Sequence, residues 1–575
     1  MGASVRASWG ASLLGLHLIS FPHSLLYMQA FCEVNVKKLF ALSVVVALLG
    51  SACGEAVSYL PVEENSPLTI YVTRTEVPDA PADGEDDFNT SCSNPAVQIG
   101  ASNVADSIEM AIGIAREAGY GVVHLCAGTY ETDHVIGFSN FGSITIQGDG
   151  MDETIISGTG GEPHALLVME PFCGGEDCEN SPSNFNVLTL KDITFTGGDN
   201  LGGLLSETSG GAVTAPLIAT ERVKFSDNRS YCGGAIALYG WTQALTDSSL
   251  AEAVETDSAV SVIEAVSQFD VSHRSVIRDT VFVDNTAVIG GAIGGSGVVL
   301  LEGREGEIPA DIAYLGALAC ANPGPLEIVR SDFTNNSAEL VGEAAEDPFS
   351  MGGGAVAAID SRVFILEAFT TVYEVVIDAE PYTSLTEAWA ESAAAQDTWV
   401  TISDSTFTGN SSESGGGAVL ALGNTAVSNS TFTNNSSSGD DLFEDGGGAL
   451  AIVGGLSLTQ SRFVGNIAQW GGAIVLRELF SNSPVSVLTR NTFIRNIATT
   501  HGGAIAGWTA EGSARGNRFT RNRAPVGSAV SATTETCSRS WSRREVRNWK
   551  GNTFRQNSGG RLPVECYVFV APEPR

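Results

Sequence analysis

From about residue 220 onward the apolar and polar positions of the chain follow a fixed phrase. In "FVGNIAQWGGAIVL", residues 463–476, a phenylalanine is followed after two variable residues by an asparagine. A short gap, two glycines, an alanine and an aliphatic run complete the unit. The Phe-x-x-Asn half stands at Phe225/Asn228, Phe282/Asn285, Phe333/Asn336, Phe407/Asn410, Phe432/Asn435, Phe463/Asn466, Phe493/Asn496, Phe519/Asn522 and Phe554/Asn557. Eight of these are followed by a partner: "GGAI" at 233, 290, 471 and 502, "GGAV" at 353 and 416, "GGAL" at 447, and "GSAV" at 527. Where nothing is inserted, one Phe follows another after 25 to 35 residues. The apolar stretches between glycines are short and rich in strand formers, as in "AIVL" and "VSVLT", with no stripe of helical period. Ser107–Ala118 has apolar residues at helical spacing and predicts a helix, and "LTEAWAESAAAQDTW" at 385–399 suits a second, short one.

Such a period predicts a stacked array, and the residue types choose its architecture. In a single-stranded, right-handed parallel β-helix, successive coils lie about 4.8 Å apart, so equivalent side chains fall over one another. An inward Phe on each coil then forms an aromatic pile, each ring contributing roughly 1.5–3 kcal/mol by burial. The Asn amide carries both donor and acceptor, so stacked amides can bond coil to coil, which a carboxylate cannot do. The paired glycines permit a tight corner with positive φ. The predicted fold is therefore all-β, with a helix capping the N-terminal end of the stack and several long insertions.

Composition adds an asymmetry. The 575 residues carry a net charge of −36, but residues 54–459 hold 11 basic and 59 acidic side chains, whereas residues 460–575 hold 16 basic and 6 acidic. Most of the chain should repel nucleic acid, and no nucleic-acid partner is expected. The stretch "VKKLFALSVVVALLGSACG" has two lysines, an apolar run from Leu39 to Leu49 too short to span a bilayer, and small residues before Cys53. It resembles the lipobox segment of bacterial lipoproteins, although Gly50 stands where leucine is usual. The resemblance implies that Cys53 is acylated as the mature first residue, and Gly54 after it resembles the form sent to an outer membrane. Residues 1–53 are read as an over-extended start plus this signal, with Met28 or Val36 as alternative starts. Residues 54–98, with "PVEENSP" and "VPDAPADGEDDFN", read as an acidic tether. Residues 99–570 are the β-helix, opened by 99–160 and carrying repeats over about 190–557. Beyond Cys32 and Cys53 eight cysteines remain, an even number that suggests disulfides in an exported chain, with Cys173 and Cys178 the nearest pair.

The paired phrases over 225–557 resemble the repeat of the chlamydial polymorphic outer-membrane protein family. That resemblance implies a right-handed β-helix at a bacterial surface and, among its members, adhesion. Residues 107–158, with "AGTY" and "ITIQGDG", resemble the opening segment of pectin-lyase-like β-helices. Unlike the chlamydial family, the sequence shows no long run of alternating strands after Asn557 that would build an outer-membrane barrel, so a lipid on Cys53 is the expected anchor.

The candidate chemistry is sparse. Asp192, Asp279 and Asp404 each lie three residues before a Phe and are expected on one strip, where Asn429, Gln460 and Arg490 occupy the same place in later units. A carboxylate strip suits calcium or polysaccharide cleavage, and turn capping explains it equally well. His134, His164, His273 and His501 are scattered, and Trp241, Trp470 and Trp508 near the glycines are packing or sugar-stacking candidates. No catalytic residue, metal or cofactor is assigned. Insertions at about 241–275, 302–329, 337–351 and 363–398 are acidic and long enough to carry function. The expected activity is non-enzymatic binding of a surface glycan or protein; a polysaccharide lyase or hydrolase and a structural envelope rod are the alternatives. The arginine-rich end suits an anionic surface or simple charge balance.

Overall fold

A computed structural model of the chain describes residues 68–73, 91–93, 95, 97–98, 104–117, 121–138, 142–160, 164–170, 186–201, 210–239, 273–295, 320, 323–339, 352–360, 397–439, 446–477, 485–508, 512–533, 549–560 and 564–567. Cys53, Trp241, Cys173, Cys178 and most of the insertions lie outside these residues, as does residue 1–67 as a whole. Among the described residues no helix is long and apolar enough to cross a membrane.

Each coil lays down four short strands. In one of them Leu456–Thr459 is followed by the Phe-bearing Arg462–Val464, then Ile467–Trp470, then Ile474–Arg477 after the glycines. Each strand pairs in parallel with its counterpart one coil on: Leu458 lies opposite Leu488, Phe463 opposite Phe493, Ile467 opposite Ile497 and Ile474 opposite Ile505. The first two rows count as one 24-stranded sheet because Val187–Thr196 and Leu217–Ser226 run through both; the third and fourth rows form sheets of 10 and 12 strands. The result is a parallel β-helix whose interior is a single apolar cluster running from Ile70 to Ala532.

The Phe rings form one pile. From Phe195 through Phe554 successive centroids lie 4.5–5.4 Å apart with interplanar angles of 2–14°. Phe195 belongs to it although Gly198 stands where the other units have Asn. The Asn side chains bond as a directional ladder. Asn466 Nδ2 donates to Asn496 Oδ1 (2.9 Å) and to the Phe432 carbonyl (3.0 Å), while its Oδ1 accepts from the Nδ2 and the backbone N–H of Asn435. The same pattern runs from Asn228 through Asn285, Asn336, Asn410, Asn435, Asn496 and Asn522 to Asn557. Every Asn from 228 to 522 is fully buried, so each unmade bond would cost roughly 1–3 kcal/mol.

The glycines serve two needs. The expected positive φ is found at Gly233, Gly290, Gly471, Gly502 and Gly527. At Gly353, Gly416 and Gly447 it is not, and there the requirement is close backbone approach: a Cβ on Gly353 would lie 1.8 Å from the Val356 carbonyl oxygen. The second glycine of each pair faces the next coil, and a Cβ on Gly291 would stand 2.0 Å from the Gly354 oxygen.

The helix spans Val104–Glu117, starting earlier than its apolar spacing predicts because Val104 and Ala105 are themselves buried. Its inner face, Ile108, Ala111, Ile112 and Ala115, has no exposure and joins the apolar cluster at the first coil. One stretch read as tether differs in the structure. Leu68–Thr73 is a strand paired with Gly121–Leu125, and Cys92 forms a disulfide with Cys126. Its Leu-Thr-Ile-Tyr-Val-Thr alternation is a strand signature hidden by acidic flanks. A second disulfide joins Cys232 to Cys320.

The rows differ in how they meet solvent. Strands of the first three rows mostly alternate buried and more exposed residues. The fourth row is buried on both faces, as at Ile236–Leu238, Ile293–Gly295 and Val356–Ile359. Its outward residues Leu420, Ala451, Val475 and Ala506 form a small cluster of their own, packed by Leu422 and Trp470. The near-continuous apolar runs "AVLAL" and "ALAIV" thus read as a parallel strand covered on both sides.

Candidate functional site

The corner three residues before each Phe is where a carboxylate strip was expected. All its non-glycine members hold left-handed backbone, from Asp192 (φ 53°) and Asp279 (φ 49°) through Asp404, Asn429, Gln460 and Arg490. That conformation favours residues with short polar side chains, so the turn itself explains Asp and Asn there. The strip also contains Arg222 (φ 54°) and Arg330 (φ 47°), which the Asp-based reading overlooked. These arginines sit between the aspartates and neutralise them. Arg222 grips Asp192 through Nε and Nη2 (2.6 and 2.9 Å), and Arg330 grips Asp279 in the same forked way (2.7 and 2.7 Å). Arg330 holds the Asp279 carboxyl below its usual range, and Asp192 with Glu221 raises Arg222. The expected carboxylate strip is therefore an alternating row of charges, and two of its three aspartates offer their oxygens to guanidinium rather than to a cation. The signal was present in the sequence: counting back three residues from Phe225 and Phe333 gives arginine.

A second buried ladder also escaped the sequence reading. Two residues before each Phe from Phe282 onward, Thr280, Ser331, Ser405, Ser430, Ser461, Asn491, Asn517 and Asn552 form a column in which each backbone N–H donates to the next side-chain oxygen. Phrases such as "DSTF", "NSTF" and "RNTF" carry it.

The histidines stand apart. His134 is an exposed partner of Asp133, whose carboxyl it lowers; His164 meets Asp199 through the backbone; His273 opens a coil. His501 stacks on the half-buried Trp470 with centroids 4.3 Å apart, and burial lowers its pKa. Trp508 lies in the strand Ile505–Trp508, its side chain outside the described residues. At the first coil Cys92, His124 and Asp149 bring donor atoms within 4.8 Å of one another. The Cys92 sulfur is in the disulfide, however, and the Asp149 carboxylate already accepts from the Ala127 N–H (2.6 Å) and contacts His124 Nε2 (2.8 Å). In this state the group offers no thiolate to a metal.

The insertions have a common origin on the coil. Segments 171–185, 240–272, 296–319, 361–396, 478–484 and 534–548 each fall between a fourth-row strand and the first-row strand of the following coil. Segments 202–209, 340–351 and 440–445 fall between the third and fourth rows. From Ser275 onward, no insertion interrupts the path from a first-row strand through Phe and Asn to the third row. The strands Leu326–Val329 and Thr398–Ser403, and the third-row Ser337–Ala338, lie at the edges of the insertions expected from sequence and belong to the coils. The three longest segments, 240–272, 296–319 and 361–396, hold 16 acidic and two basic residues.

Residues 404–422 match the family model of the Chlamydia polymorphic membrane protein repeat. No curated protein matches the chain. Among solved structures, the catalytic unit of a thermostable GH87 α-1,3-glucanase from Streptomyces thermodiastaticus strain HF3-3 is 10% identical, over 90% of this chain and 70% of that one, with a TM-score of 0.30. The A-module of the Azotobacter vinelandii mannuronan C-5 epimerase AlgE6 is 11% identical, over 83% and 97%, with a TM-score of 0.21. At such scores these likenesses say nothing of this chain's chemistry.

Proposed function

We propose that this is a bacterial surface protein whose β-helix acts as a rod displaying binding segments, without catalysis of its own. The observation that carries the reading is the common origin of the insertions: they leave the coil only where the fourth row begins or ends, so segments far apart in sequence are delivered to one side of the rod. Long segments presented by a rigid repeat are a usual way to build a recognition surface. Their acidity favours a partner with basic groups, a glycan-bearing or protein surface of the host or neighbouring cell. Attachment through a lipid on Cys53 is part of the same proposal and agrees with the resemblance of 404–422 to a repeat of surface proteins. The paired charges at the strip before each Phe remove the best carboxylates from catalysis, which supports binding over cleavage.

The test incubates the full chain with uronate-rich and neutral polysaccharides and with intact cells, with and without calcium. Polymer length is followed by size-exclusion chromatography and cell binding by fluorescence. A variant with 361–396 replaced by a short Gly-Ser linker is compared. Binding that this variant loses, with polymer length unchanged, is expected. Shortening of any polymer would refute the reading, as would cell binding equal in the two proteins.

A further inference from the structure

The faces free of insertions change character along the rod. Upstream, charges on the corners are compensated, as at Asp192/Arg222 and Asp279/Arg330. On the last four coils no described acidic residue stands beside them. The coil of Phe463 carries Arg462, and the next carries Arg490 and Arg495. The coil of Phe519 carries Arg515, Arg518, Arg521 and Arg523, and the last carries Lys550 and Arg555; all nine are exposed. Among the described residues from 446 to 560 there is no Asp or Glu, and the ion pairs formed between two described residues lie upstream, ending at Arg330 with Asp279 and Arg274 with Glu327.

The register brings these cations together. Arg515 lies directly opposite Lys550. Arg462 and Arg518 share one column, with Thr492 between them and Thr553 beyond. Arg495 and Arg521 hold equivalent left-handed corners on adjacent coils, and Arg521 donates to Gln556 Oε1 (2.7 Å). Like charges one coil apart, about 4.8 Å, repel one another, a cost that falls when an anion lies between them. Eight of the nine are arginine, whose planar fork matches carboxylate and sulfate groups, and the hydroxyls of Thr489, Thr492, Thr520 and Thr553 stand among them.

We propose that this surface binds a polyanionic glycan, a chain with carboxylate or sulfate groups on successive sugars, laid along the axis of the rod. The columns run in that direction, and their spacing is close to the length of one sugar, so a linear polymer can meet one cation per coil. This site is separate from the insertion-bearing side, and its ligand is opposite in charge to the partner expected there.

The experiment measures binding of the full chain, in chelator, to heparin as a sulfated and carboxylated chain, to polygalacturonate as a carboxylated one, and to dextran as a neutral one. Vesicles containing anionic phospholipid are the fourth probe. Binding to one or both anionic glycans, weakening steeply as salt rises, with no binding to dextran, is expected. Arg518→Gln with Arg521→Gln should weaken it about tenfold. Lys224→Gln with Arg278→Gln, the same change in net charge on upstream coils, should leave it unchanged, as should replacement of 361–396. Arg278, Arg518 and Arg521 are exposed and Lys224 half-buried, so melting temperatures should lie close to the parent's. Equal loss in the two double variants, binding to dextran, or binding to vesicles that the anionic glycans fail to compete away would overturn the proposal. Loss of cell binding on replacing 361–396, with heparin binding intact, separates this site from the one proposed above.

Discussion

Asn466→Asp replaces one amide of the buried ladder by a carboxyl of the same shape. The parent side chain makes two donations through Nδ2, to Asn496 Oδ1 and to the Phe432 carbonyl, and Oδ1 accepts two more from Asn435. An aspartate keeps the accepting half and loses both donations, and it turns a carboxylate oxygen toward two acceptors about 3 Å away. Each buried acceptor left unsatisfied costs roughly 1–3 kcal/mol, and the buried charge adds to this, so we expect a loss of about 3–5 kcal/mol near neutral pH. Burial and the facing oxygens raise the carboxyl pKa of the variant in the folded state above its unfolded value of about 3.9. The folded state then binds more protons than the unfolded one, so the deficit relative to the parent should shrink as pH falls below the raised folded pKa and level off below the unfolded one. Urea unfolding of both proteins at several pH values reads this directly, with exposed Thr499→Asp as the surface control. A loss no larger than that of Thr499→Asp, or a deficit that does not shrink on acidification, would refute the ladder argument.

Three further outcomes follow from the backbone packing, the helix and the half-buried imidazole. Gly472→Ala puts a Cβ 2.4 Å from the Gly503 oxygen and 2.6 Å from backbone atoms of Ile497, and should cost more than about 3 kcal/mol or abolish folding. Gly113→Ala, on the helix with nothing within 4 Å, should instead raise stability by roughly 0.5–1 kcal/mol in the same urea titration. His501, lowered by burial beside Trp470, resists protonation in the folded state, whereas in the unfolded chain it titrates near 6.5. Its contribution is therefore complete above that value and is lost as pH falls below it through the lowered folded-state value, and His501→Gln should flatten the stability profile over that window. A profile identical to the parent's would contradict the assignment.

Much of this architecture was legible because the same local demand recurs on every coil. Phe463 and Asn466 could be read from their neighbours 30 residues away, since a stacked fold converts sequence repetition into spatial contact. Features that vary from coil to coil were harder. Phe195, which places Asp192, falls outside the Phe-x-x-Asn set because its unit lacks the Asn, and the column through Ser405, Ser430, Ser461 and Asn491 is hard to see because hydroxyl and amide substitute for one another there. The charge strip was misread for a different reason. Asp192 and Asp279 carry the recognisable chemistry, whereas Arg222 and Arg330 share the same left-handed corner, which accepts either. Leu68–Thr73 was hidden by composition: its acidic surroundings outweighed a short alternation that pairs with a strand fifty residues later. The common origin of the insertions could not be seen at all until strand boundaries placed them on the coil.

The Asn ladder has a consequence for how such a protein can change over generations. Each rung presents to the coil above the same donors and acceptors that it receives from the coil below, so a rung fits any other rung of the series. Duplication or loss of one whole coil therefore leaves every junction satisfied, and the rod changes length in steps of about 4.8 Å while its cross-section stays fixed. Change of a fraction of a coil breaks both buried columns at once and is selected against. The length of the rod is thus free to evolve by counting, independently of the sequence of its insertions.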